Sequence, residues 1–130
     1  MILVDTHVVV WLAFAPHEIS RKARQAIEDA RKDADGLAIS DISLFELATL
    51  VDKGRIRLEI STESFLQEIE SRFVVLSMTG RVCARAISLP RTYPKDPADR
   101  IIGATALVEG LSLLTADREI RRSAVVQTIW

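Results

Sequence analysis

Five carboxylates stand where their types and spacing could do chemistry: Asp5, Glu46, Asp96, Asp99 and Asp117. Asp96 and Asp99 lie three apart in "YPKDPADRIIGA", around a proline and directly before an apolar run. One reading of that stretch is structural: Asp96 caps a helix, Pro97 takes its first position, and Asp99 faces the positive end of the helix dipole. The other is that one or both acids hold a metal ion. If such side chains converge, two carboxylates about 4 Å apart repel by roughly 4 kcal/mol at a surface-like effective dielectric. A converged cluster then holds protons or holds a cation. Hard oxygen donors with no matching set of His or Cys select Mg²⁺ or Mn²⁺ over zinc.

Convergence depends on the elements that carry these acids. The runs "ILVD", "LAIS", "FVVL", "LSLLT" and "AVVQ" are short and rich in Leu or β-branched residues, as strands buried on both faces should be. Helical spacing follows Ser20 (Ala23, Ala26, Ile27, Ala30, Ala34) and recurs from Ile42 to about Gly54. It appears again after Ser61 or Thr62, after Thr79 as far as Pro90, and from Pro97 to Glu109 with Gly110 beyond. Val8 to Ala15 reads as a helix apolar nearly all round, either wholly buried or meeting another chain through Trp11 or Phe14. "RIRLE" fits a small edge strand or an extended loop. Strand and helix in alternation predict one α/β domain over residues 1–130, with a parallel sheet covered on both faces. In that architecture Asp5, Glu46, Asp96, Asp99 and Asp117 all fall at the carboxyl edge of the sheet, where open sheets bind ligands.

Acidic helix caps gather at that edge by construction, so position alone decides little. "SLFE" fits a capping box from Ser43 to Glu46, Asp117 fits a cap for "DREIRR", and Thr6 caps as readily as Asp5. Glu46 is the exception, because its neighbours Phe45 and Leu47 bring it near the core, where an ionised carboxylate needs a partner. Arg100 opposes the dipole of the helix it opens, which favours pairing with an acid or a phosphate.

The rest of the composition mainly excludes. Lys and Arg number 17 against 18 Asp and Glu, so bulk charge does not draw the chain to nucleic acid, although a local basic rim still can. The single Cys83 cannot form an internal disulfide, and its small apolar neighbours predict a buried, inert thiol. Asp5 and His7 interrupt the apolar start, which lacks a basic leader; neither a signal peptide nor a membrane span fits, and a cytoplasmic protein is expected. His7 and His17 read as structural and surface residues.

Together, "VDTHVVVWL", "ISDISLFELATLVDKGRI", "DPADRIIGATAL" and "LLTADREI" occur in the order and at the spacing of PIN-domain proteins. The chain most resembles the VapC-type ribonuclease toxins of type II toxin–antitoxin pairs, over essentially its whole length. The resemblance implies a three-layer α/β/α fold with a five-stranded parallel sheet, commonly assembled as a homodimer. It matches Asp5, Glu46, Asp99 and Asp117 to the four family acids, the catalytic and metal-binding set, with no departure at any of them. Asp96, Thr115 and Thr6 would support that set. The implied activity is Mg²⁺- (or Mn²⁺-) dependent hydrolysis of RNA, leaving a 3′-hydroxyl and a 5′-phosphate, restrained by a small antitoxin protein. Grip on the RNA would fall to Arg100, Lys95 and Arg55, with Lys53, Arg57 and Arg91 as further candidates. Few aromatics are available for base stacking, so phosphate contacts should dominate.

Three rival readings differ in what they require of the sequence, and the last two lack a residue they need. A non-catalytic PIN-like module would bind RNA or a partner without cleaving. A phospho-accepting receiver domain shares the architecture but wants a late lysine, and none follows Lys95. A haloacid-dehalogenase-like phosphatase wants two acids one residue apart after its first strand, and "VDTHV" supplies one.

Overall fold

A computed structural model describes all residues, 1–130. Five strands, β1 (Ile2–Val4), β2 (Leu37–Ser40), β3 (Val74–Leu76), β4 (Leu113–Leu114) and β5 (Thr128–Ile129), form one sheet in the order β3-β2-β1-β4-β5. Every pairing is parallel. Seven helices connect and cover them: α1 (Thr6–Phe14), α2 (Arg21–Lys32), α3 (Asp41–Asp52), α4 (Thr62–Arg72), α5 (Gly80–Ile87), α6 (Pro97–Glu109) and α7 (Arg118–Ser123).

The two-residue period of the strands sorts their side chains into two cores. Val4, Leu37, Ile39 and Leu114 point to one face and pack with Val8, Ile27, Leu47 and Phe65 from α1 to α4. Leu3, Ala38 and Leu113 point to the other, against Tyr93, Ile102 of α6 and Ile120 of α7. Both faces are therefore apolar and covered, which is why the strands read as continuous hydrophobic runs rather than alternating ones. The result is the three-layer α/β/α arrangement with a five-stranded parallel sheet expected from the sequence.

Side-chain caps set most helix starts. Ser20, Ser61, Thr79 and Asp96 each accept a backbone N–H three residues on, Pro97 opens α6, and Gly110 closes it in the left-handed conformation. Three local expectations change, and one left open is decided. The apolar helix starts at Thr6 rather than Val8, and it is not wholly buried, since Phe14 is 49% exposed. Of the two options for "RIRLE" the loop forms, burying Ile56 and packing Leu58 partly against the same core. The last strand is Thr128–Ile129, not "AVVQ": Ala124 takes the left-handed conformation after α7 and Val126 turns into the core, so the chain reaches the sheet edge later. Cys83 is exposed, not buried. Helix α5 packs inward through Val82 and Ala86 only, and the opposite face carries Cys83 outward with Ile87, one turn on.

Candidate active site

In the order β3-β2-β1-β4-β5 the connections run one way from β1 and the other way from β4, so the topological switch lies between those two strands. Asp5 leaves β1 at that point. Its N–H still bonds to the Leu114 carbonyl at 3.0 Å, and its side chain caps α1 by accepting from the Thr6 N–H at 2.9 Å. The carboxylate is buried at 4% exposure. Thr115, at the matching end of β4, donates its hydroxyl to Asp5 Oδ2 at 2.7 Å and in turn accepts from the Asp117 N–H at 3.1 Å. His7 accepts the Ala116 N–H on Nε2 at 3.1 Å, which leaves its ring proton on Nδ1, 3.5 Å from Asp5 Oδ2.

A second hydroxyl relay holds Glu46. Thr6 Oγ1 donates to Glu46 Oε1 at 2.5 Å, so the 2.8 Å contact between Thr6 and Ser43 must be the Ser43 hydroxyl donating to Thr6. Ser43 is fully buried. The capping-box alternative for "SLFE" therefore does not form. Helix α3 is capped by Ser40, and Glu46 reaches across to α1 instead of back to Ser43. The neighbouring site carboxylates Asp5 and Glu46 are thus each fixed by a threonine whose oxygen accepts from another donor, an arrangement that polarises both hydroxyls toward the carboxylates.

Asp99 and Asp117 arrive on helix starts. Asp96 Oδ1 accepts the Asp99 N–H at 3.1 Å and Asp117 Oδ1 accepts the Ile120 N–H at 3.0 Å, so Asp96 caps α6 and Asp117 caps α7. Asp99 makes no side-chain hydrogen bond of its own, and its backbone is held by Tyr93, whose phenol donates to the Asp99 carbonyl at 2.9 Å. Tyr93 is buried across α6 at Gly103, where even a methyl group would lie 2.6 Å from the ring carbon Cζ. Burial first, then the neighbouring acids, holds this phenol protonated well beyond its ordinary range, which keeps it a donor.

The acids feel one another. Burial chiefly, then Asp5, Asp96, Glu46 and Asp117, pushes the Asp99 carboxyl up to about 7. Burial likewise raises Glu46, opposed by the Thr6 hydroxyl and reinforced by Asp5 and Asp96. No three His, Cys, Asp or Glu side chains lie close enough to enclose an ion as they stand. The fit to a divalent cation is instead one of chemistry: the donors are carboxylate oxygens, and the mutual repulsion that helps lift Asp99 is what a hard cation relieves.

The remaining site candidates fall in different places. Arg100 donates Nη1 to the Ala86 and Leu89 carbonyls, both at 3.2 Å, and so ties α6 to the end of α5. Lys95 is exposed beside Asp96, whereas Arg55 lies past the C-terminus of α3. Two contributors were not identified from sequence. Ser43 reads as a cap there, and Tyr93 is given no role. The lone glycine in the helical run "IIGATAL" was the available signal for a close approach there.

Comparison with known proteins adds the family. The family model for the PIN domain matches residues 2–126. Ribonuclease VapC22 of Mycobacterium tuberculosis (strain ATCC 25618 / H37Rv) is 42% identical, the match covering 99% of this chain and 98% of the relative. Among solved structures, VapBC2 from Rickettsia felis bound to a DNA fragment from their promoter superposes with a TM-score of 0.73 at 23% identity, covering 98% of this chain and 97% of that one. DNA-bound VapBC from Salmonella typhimurium superposes with a TM-score of 0.67, also at 23% identity and with coverage of 98% and 97%.

Proposed function

The chain belongs to the PIN-domain family, as a VapC-type ribonuclease toxin, and on that footing we propose that it cleaves RNA with a divalent cation, Mg²⁺ or Mn²⁺, held by Asp5, Asp99, Glu46 and Asp117. What supports the reading is that the other three acids lie within electrostatic reach of Asp99, each adding to the burial that lifts its carboxyl to about 7. A bound cation supplies charge neutralisation at the phosphate and a more acidic water for in-line attack. The protein's own part is positional. Thr115 and the Thr6 N–H hold Asp5 in one orientation, and the Ser43–Thr6 relay holds Glu46. Asp99, free of side-chain hydrogen bonds, is the acid able to adjust to what binds. Purified protein should cleave RNA with Mg²⁺ or Mn²⁺, leaving 3′-hydroxyl and 5′-phosphate ends, and EDTA should stop it. Asp5→Asn and Asp99→Asn should each abolish cleavage; a variant that still cuts would remove that residue from the assignment.

The partner half of the proposal concerns a groove between α1 and α4. Leu12 and Phe14 of α1 face Phe65 and Ile69 of α4 around a cavity of about 630 Å³, and the Phe14 and Phe65 rings lie 5.8 Å apart. Arg31 and Arg57 stand at its edge without ion-pair partners. An amphipathic antitoxin segment with an apolar stripe and flanking acids fits that lining. A second copy of the chain would cover other apolar side chains, Phe45 on α3 (70% exposed) and Ile87 on α5 (86% exposed). The toxin would act in the cytoplasm. No helix is long and apolar enough to cross a membrane.

A further inference from the structure

The whole chain carries a net charge of −1, yet one region beside the acids is strongly basic. We propose that the loop from Arg91 to Lys95 and the outer face of α7 form a track for the phosphate backbone of RNA, leading it to the carboxylates. The inference rests on the ribonuclease reading and extends it from the reacting centre to the grip on substrate.

Arg91, Lys95, Arg118, Arg121 and Arg122 are all exposed. None belongs to any of the four ion pairs in the molecule, so none is held by a carboxylate in close contact. A depression of about 620 Å³ is lined by Arg91, Lys95 and Arg122, with Glu119 its one acid. A second, of about 340 Å³, is lined by Arg118, Arg121 and Arg122 alone. The two share Arg122, so they form a continuous strip rather than separate patches.

Its position is what ties this strip to the chemistry. Helix α7 begins directly after Asp117, and the loop runs directly into Asp96 and the first turn of α6 that carries Asp99. Tyr93 lines the larger depression while its hydroxyl holds the Asp99 carbonyl. The basic strip and the acids are thus built on the same two stretches of chain, 91–99 and 117–122, and cannot drift apart without one of those stretches distorting.

The side-chain chemistry selects a phosphate backbone over bases. Four of the five cations are arginines, whose forked donors match phosphate oxygens. The one aromatic in the strip, Tyr93, is buried and offers no stacking face. Contacts of this kind hold RNA without reading its sequence, and they weaken steeply with salt. They also hold substrate and transition state equally, so their loss should raise KM and spare kcat.

The test uses the full chain carrying Asp99→Asn, which should bind but not cut, and a mixed-sequence single-stranded RNA oligonucleotide with a fluorescent end label, read by anisotropy across a salt series. Adding Arg118→Ala and Arg122→Ala should raise Kd about tenfold or more. The log–log salt slope should flatten by about 1.4, near 0.7 for each phosphate no longer neutralised. Lys22→Ala, on the exposed face of α2, should change neither. In the chain with Asp99 intact, the same two arginine substitutions should raise KM for RNA at unchanged kcat. A single-stranded DNA oligonucleotide of the same length should lose affinity in parallel, since the contacts are to phosphate. Unchanged Kd and salt slope, or no RNA binding by the Asp99→Asn parent, overturns the track. If the arginine variants cut RNA normally with unchanged KM, the track falls and the nuclease stands. If the unsubstituted chain binds RNA through these arginines but never cuts it, the track stands and the nuclease reading falls.

Discussion

Asp5 is a buried anion whose partners are mostly uncharged, and its hydrogen bonds define what the site can tolerate. Replacing Thr115 by Val keeps the shape but removes the hydroxyl that reaches Asp5 Oδ2. A buried carboxylate deprived of one donor costs about 1–3 kcal/mol. Urea denaturation of Thr115→Val should register a loss of that size at unchanged m, with cleavage reduced; an unchanged midpoint would mean that Asp5 does not depend on this bond. Asp99 makes a different prediction. Its carboxyl is lifted from 3.8 to about 7, so between those values the folded chain keeps a proton that the unfolded chain releases. Stability of the metal-free protein should therefore fall as pH rises through that window and level off above it, by about 1–2 kcal/mol once solvent screening of a half-buried group is allowed for. Mg²⁺, binding the ionised folded form, should restore the loss at pH 8. Asp99→Asn should lose the Asp99 part of the fall, leaving what the raised Glu46 contributes, and should show little restoration by Mg²⁺; equal pH dependence of melting in the two proteins would refute the cause given for the shift. The positions of these acids were legible in the sequence, because strand ends and helix starts of a parallel α/β chain meet at one edge. The two hydroxyl relays were not, since Ser43 finds Thr6 and Thr115 finds Asp5 only through tertiary register, 37 and 110 residues apart.

Helix α6 shows how an element can be readable while its seating is not. Its cap, its opening proline and its closing glycine all stand in the sequence, and the structure follows them from Pro97 to Glu109. Gly103 sits in the middle of that helix, where alanine would ordinarily gain about 1 kcal/mol. Here the added methyl meets the Tyr93 ring, 2.6 Å from Cζ. Gly103→Ala should instead destabilise by about 1–3 kcal/mol. Tyr93→Ala in the same chain should recover part of that loss, a coupling that a double-mutant cycle of thermal melts would measure. Additive effects would show that the two residues do not share the space. The element least legible was the last strand. "AVVQ" has the composition of a strand, but after a six-residue helix and a left-handed Ala124 the chain buries Val126 in the core before it can pair at Thr128. Composition sees the hydrophobes and not the turn that redirects them.

At the scale of the whole molecule, the proposed activities occupy different surfaces. The acids follow strand ends and helix starts at the carboxyl edge of the sheet, with the basic strip on the chain beside them, and the apolar groove lies between α1 and α4. Substituting Phe14, half exposed at the mouth of that groove, by Glu should abolish a stable complex with the antitoxin while leaving RNA cleavage intact. Co-expression with a candidate antitoxin and size-exclusion chromatography would check it; a complex that persists at wild-type strength would move the partner elsewhere.

The chain has two tryptophans, and they touch. Trp11 lies on α1 with its ring 5.6 Å from that of Trp130, and it also meets the His7 imidazole at 5.0 Å, edge to face. His7 in turn borders Asp5. All of the indole emission therefore arises at one spot, between the helix that lines the groove and the acid that begins the site. A ligand settling on either side should perturb the same fluorophores, so the unlabelled protein serves as its own optical sensor for titrating cation and partner in a single cuvette.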